Sequence, residues 1–71
     1  MTQKRQIHGH WVMFEENAKP GIHYLEYELQ AKEALVFFDQ AKQHGSAEFE
    51  DSYRHNFTLS YYHDGYTLVR R

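Results

Sequence analysis

NFTLSYYHDGYTLVRR, residues 56–71, is the stretch whose reading decides the fold. Its Asp64-Gly65 pair is a short-range signal for a two-residue turn, because a type I′ turn needs positive φ at both central positions. That turn sets His63 opposite Tyr66, Tyr62 opposite Thr67, Tyr61 opposite Leu68, Ser60 opposite Val69 and Leu59 opposite Arg70. Side chains alternate across a strand, so Phe57, Leu59, Tyr61, Tyr66 and Leu68 share a core face. Thr58, Ser60, Tyr62, Thr67 and Val69 take the other face, a wettable surface that still holds one large aromatic.

Upstream of this hairpin, residues 47–53 read as a strand with Phe49 inward and Glu48 and Glu50 outward. Residues 30–44 read as a helix of about four turns: Ala31, Ala34, Leu35, Phe38 and Ala41 recur at helical spacing. Gly45 sits where a C-cap glycine belongs, and Lys42 and His44 complement the dipole in the last turn. Leu35-Val36-Phe37-Phe38 runs against this pattern as four strong β-formers, an aggregation-prone window if the helix opens. Residues 22–28 fit either a second strand, with Leu25 and Tyr27 inward, or the opening turns of the helix; the strand is the expectation. Residues 17–21, with the single proline Pro20, read as a loop. Residues 6–15 read as one strand, with Ile7, Gly9, Trp11 and Met13 on one face and His8, His10, Val12 and Phe14 on the other. Residues 1–5 are expected to be disordered.

These elements sum to an α+β domain, β-β-α-β-β-β: a small antiparallel sheet of four to five strands with one helix packed on one face. The opposite face must then meet water, a partner or a ligand, and Tyr62, Val69 and Phe14 are placed there.

At 71 residues the chain is expected to form a single domain, burying only roughly 60% of its unfolded surface. It has no cysteine, which removes disulfides and thiolate zinc sites. Trp11, five Phe and six Tyr supply a large apolar area for so short a chain. No run approaches the ~20 apolar residues of a membrane span and no secretory apolar region opens the sequence, so a soluble cytoplasmic protein is expected. The net charge of −2 is unevenly spread. Residues 15–51 hold nine acidic groups against Lys19, Lys32 and Lys42, a balance of −6. Lys4, Arg5, Arg54, Arg70 and Arg71 against Asp64 leave +4 at the two ends.

No catalytic signature is present. Ser46, Ser52 and Ser60 lack a nucleophile-elbow context, and Glu48, Glu50 and Asp51 fit a solvated strand or turn, so a non-enzyme is expected. There are six histidines. His8 and His10, two apart on a strand, point the same way, but a zinc site needs three or four ligands, and neither His63 nor Glu15 is tied to them by spacing. No metal or other cofactor is therefore expected; the histidines do make the net charge sensitive to pH between about 7 and 5.5. Two function classes remain. One is recognition of another protein, or self-association as a homodimer, through the helix-free face around Tyr62, Thr67 and Val69. The other is stacking of single-stranded nucleic acid on Tyr62, with Arg54, Arg70 and Arg71 meeting phosphates.

Overall fold

Residues 3–14 make a hairpin where one long strand over residues 6–15 was expected. In the computed structural model, which describes residues 2–63 and 65–71, His8 and Gly9 both take positive φ, at +49° and +87°. That is the backbone of a two-residue hairpin turn. It splits the segment into β1 (Gln3–Ile7) and β2 (His10–Phe14), paired antiparallel from Gln3↔Phe14 to Ile7↔His10. Gln3 to Arg5, expected to be disordered, are therefore in an edge strand. The turn also realigns the faces. Ile7 pairs with His10 and turns inward with Val12 and Phe14, while Trp11 and Met13 point out.

After β2 the chain is helical from residue 16 to residue 44 with one break. A single 3-10 turn (Glu16–Ala18) leads into α1 (Lys19–His23), and a π-helical turn (Tyr24–Glu28) follows. The expected strand over residues 22–28 and loop over 17–21 are thus corrected. Pro20 sits in the first turn of α1, where its missing N–H costs nothing. Ala18, Ile22 and Leu25 are buried at a spacing of four and three, and Tyr27, expected inward, is exposed. Leu29 and Gln30 then take extended backbone, and α2 (Ala31–His44) begins. Glu33 Oε1 accepts the Gln30 N–H at 3.1 Å, and Gly45, at φ +91°, closes the far end by donating to the Ala41 carbonyl at 2.8 Å. Ala34, Phe38 and Ala41 are buried; Val36 is left in solvent.

The remaining strands are β3 (Ser46–Glu50), β4 (Asn56–Tyr62) and β5 (Gly65–Arg70). The sheet order is β1-β2-β5-β4-β3. Every neighbour is antiparallel except β2 and β5, which run parallel through Val12↔Tyr66, Met13↔Thr67 and Phe14↔Leu68. The α+β class stands; the sheet is mixed rather than purely antiparallel, and a short helix joins the long one.

The C-terminal hairpin differs in register from the sequence expectation. Tyr62 pairs with Gly65, Tyr61 with Tyr66, Ser60 with Thr67 and Leu59 with Leu68. His63 takes the left-handed place in the turn, at φ +52°; Asp64, the first residue of the expected turn, lies outside the described residues. Because the two strands are displaced by two residues, the alternation survives. Phe57, Leu59, Tyr66 and Leu68 are buried and Tyr61 is half-buried, as expected.

All the helical structure lies on that inner face. Phe38 meets Tyr66 edge-on at 4.9 Å between ring centroids, and the Tyr66 hydroxyl donates to the Phe38 carbonyl at 3.4 Å. Burial, with Tyr61 and Asp39 nearby, raises the Tyr66 pKa. Gly21 marks the closest approach of α1: a Cβ built there would lie 2.8 Å from Phe57 Cδ1 and 2.9 Å from Leu68 Cδ2.

Gly21→Ala therefore separates two opposing effects. Alanine in a helix gains about 0.5–1 kcal/mol over glycine, but overpacking a filled core costs ~1–3 kcal/mol. The clash is with buried core side chains, so net destabilisation is expected in urea denaturation, alongside a loss of ~2–5 kcal/mol for Leu68→Ala. A Gly21→Ala protein more stable than wild type would mean α1 stands off the sheet.

Candidate binding surface

The outward-facing residues can be placed row by row from the strand register. One row crosses all five strands: Lys4, Met13, Thr67, Ser60 and Ser46. Val69, Thr58 and Glu48 form the next in one direction. In the other direction lie Gln6, Trp11, Gly65 and Tyr62, since Trp11 and Gly65 each stand one step before the Val12↔Tyr66 pair. Gly65 has no side chain, so the row is a notch with Trp11 on one wall and Tyr62 on the other. Trp11 is 52% exposed and Tyr62 75%. The Lys4 ammonium lies 5.0 Å from the indole centroid, and the His63 ring packs edge-on to Tyr62 at 4.0 Å. A cleft of about 330 Å³ at the β2–β5 seam is lined by Met13, Phe14, Glu15, Thr67, Leu68 and Val69, together with Thr2 and Asn17.

Three of the five residues expected to bind are together on this face: Tyr62, Thr67 and Val69. Arg54 and Arg70 are elsewhere. Arg70 pairs with Phe57, five steps or about 17 Å along β4 from Tyr62, and shares the inward parity of Tyr66 and Leu68. Arg54 lies in the tight turn before β4, at φ +66°. Phe14, placed on this face from the sequence, is buried in the core. Trp11 and Met13 are the members sequence reasoning missed. A His-Gly pair between polar and aromatic residues was the available turn signal, since histidine, like asparagine, accepts left-handed backbone more readily than most residues.

The histidines expected to share a strand face are separated. His8 Nε2 lies 3.0 Å from the Leu25 carbonyl, while His10 stacks on Phe38 at 4.7 Å and meets Tyr66 edge-on. Among the described residues no three His, Asp or Glu side chains are gathered to hold a metal ion.

Other polar clusters have structural work. The Ser52 hydroxyl donates to Glu28 Oε1 at 2.6 Å, and His23 Nδ1 lies 3.5 Å from Glu28 Oε2. The Glu28 carboxylate thus bridges the serine hydroxyl and the imidazole and ties the turn after β3 to the helical segment. Asp51 is buried and organises the turn into β4. Its Oδ1 accepts the N–H groups of Tyr53 at 3.0 Å and His55 at 2.8 Å, and its Oδ2 meets His55 Nδ1 at 3.0 Å. Burial pushes the Asp51 carboxyl up, but the His55 and Tyr53 hydrogen bonds outweigh it and hold the pKa below the usual aspartate value. Arg5 closes the inner side of β1 by pairing with Glu26 at 2.7 Å and donating to the Tyr27 hydroxyl at 2.9 Å.

No protein-family model, curated protein or solved structure matches this chain. No helix among the described residues is long and apolar enough to cross a membrane.

The Asp51 turn makes a pH prediction with a definite sign. A depressed folded pKa contributes stability that is complete above the unfolded value and is lost as pH falls through the folded one. Wild type is thus expected to lose stability below about pH 4, and Asp51→Asn to flatten that acid limb in pH-dependent thermal melts. Parallel acid limbs in the two proteins would remove Asp51 as a cause.

Proposed function

We propose that this protein is a non-catalytic binding module of the cytoplasm that recognises protein, a different chain or a second copy, through the helix-free face of its sheet. The observation that carries the reading is the clustering of exposed apolar side chains. Among the described residues seven large ones are exposed, and Trp11, Met13, Tyr62 and Val69 are four of them, all on this one face. Isolated exposed apolar residues are ordinary; a contiguous set bordered by polar groups is the usual form of an interface. Tryptophan, tyrosine and methionine are also side chains that interfaces favour, because they bury much area around a polar or adaptable group.

A second reading, stacking of single-stranded nucleic acid, is favoured by one feature: Trp11 and Tyr62 stand level on the sheet with Lys4 beside the indole. Against it, Glu48 and Glu50 project from the same face, where they repel phosphate. Arg54 and Arg70 are also remote from Tyr62. Nucleic acid bound here is expected to lose affinity steeply with salt, whereas protein bound over Trp11 and Tyr62 is expected to respond weakly.

The test is a photo-crosslinking amino acid at Thr67, in the middle of the face, compared with one at Gln43 on the exposed side of α2. Protein adducts are expected from position 67 in cells and not from position 43, and Tyr62→Ala is expected to abolish them while leaving the thermal melt unchanged. Equal yields from both positions would overturn the reading. A Tyr62→Ala protein that unfolds would place Tyr62 in the monomer's core and remove it from the surface.

A further inference from the structure

We infer that the occupant of this face is a second copy of the chain, packed sheet on sheet about a two-fold axis parallel to β5. The inference rests on the face being a protein-docking surface. It adds which protein and in what orientation, from the order of the strands and the charges they carry.

Two sheets packed face to face align their strands to within about 30°. A two-fold axis along the central strand lays β5 over the partner copy's β5, β2 over its β4, and β1 over its β3, because the order is β1-β2-β5-β4-β3. Each row keeps its height along the axis. Trp11 and Tyr62 share a row on opposite sides of β5, so each Trp11 meets a Tyr62 of the other copy, and the contact is made twice. The outward residues of β5 are Gly65, Thr67 and Val69, small enough to let the central strands approach while the flanking aromatics interlock.

Charge selects this axis over the other face-to-face choice. β1 carries Lys4 outward, and β3 carries Glu48 and Glu50 outward; Arg71 of the same chain lies 2.8 Å from Glu48, so the β3 edge keeps one net negative charge. With the axis along the strands, Lys4 of each copy faces the acidic strand of the other, one row from Glu48. With the axis across the strands, every strand lies over its own copy, the Lys4 strand over the Lys4 strand and the Glu48–Glu50 strand over its like. Like charges so opposed disfavour association. The five strands span a face of about 24 by 17 Å, so the two faces together cover roughly 800 Å² of sheet, at the small end of protein interfaces. The contact is small, so the dimer is expected to dissociate on dilution.

Sedimentation velocity over a wide concentration range, on the full chain, provides the test. Wild type is expected to shift from monomer to dimer, and Lys4→Glu alone or Glu48→Lys alone to weaken the dimer about tenfold, each placing like charges together twice. Mixing the two variants is expected to restore association, since both edges of the mixed dimer then pair opposite charges. Glu50→Lys serves as the acidic-edge variant should Glu48→Lys, which also removes the 2.8 Å contact with Arg71, alter the fold. No recovery on mixing would overturn the axis while leaving the face as a docking surface. A wild type monomeric at every concentration would overturn the second copy as occupant, and position-67 adducts to a different protein would then identify the alternative. Loss of those adducts altogether would remove the docking surface itself.

Discussion

Three parallel residue pairs, Val12↔Tyr66, Met13↔Thr67 and Phe14↔Leu68, join the two halves of this protein. On one side lies the β1–β2 hairpin, on the other the antiparallel β3–β4–β5 unit. An isolated two-stranded hairpin is marginal in water, so the N-terminal half depends on this seam. A parallel pairing also demands a crossover, and the crossover is the helical stretch that covers the inner face. The inward halves of the seam, Val12, Phe14, Tyr66 and Leu68, all belong to the core. Its outward half, Met13 and Thr67, is the centre of the exposed face. One set of backbone bonds thus positions both.

From that seam follows the asymmetry of the molecule. The chain leaves β2, lays α1 and α2 over one side, and returns through three consecutive antiparallel strands. Nothing among the described residues crosses to the other side. The inner layer is packed closely enough that Gly21 sits against Phe57 and Leu68 without room for a methyl group. The outer side keeps aromatic and aliphatic side chains whose burial needs a second surface. A small domain has a limited core, and among the described residues no element covers this apolar face.

The polar groups divide along the same line. Arg5, Glu26, Glu28, Ser52, Asp51 and His55 are tied to one another or to backbone around the inner layer and its loops. His8 holds a carbonyl of the helical turn, and His10 lies against the Phe38 ring. The outer face is left with a basic edge at Lys4, an acidic edge at Glu48 and Glu50 where Arg71 pairs with Glu48, and a central cleft that also holds Glu15.

The sequence by itself determined the elements whose signals are local. The alternation of residues 57–61 and 66–69 sorted core from surface, and the spacing of Ala34, Phe38 and Ala41 with a glycine beyond placed α2 to within a residue. The helix prevailed over the β-forming run at residues 35–38 because Phe38 alone of the four is fully buried, on the stripe facing the sheet. Tyr62, Thr67 and Val69 were found together for the same reason, because period-two alternation survives a two-residue shift of register. What only the tertiary structure decided is whatever depends on contacts between distant segments. The turn at His8-Gly9, the parallel seam and the helical form of residues 19–28 each resolve a local ambiguity through packing elsewhere. They bring Trp11 to the side of Gly65 and Tyr62 and carry Arg54 and Arg70 away from it. Local pattern sets which way a side chain points; strand order, which is settled by long-range pairing, sets its neighbours.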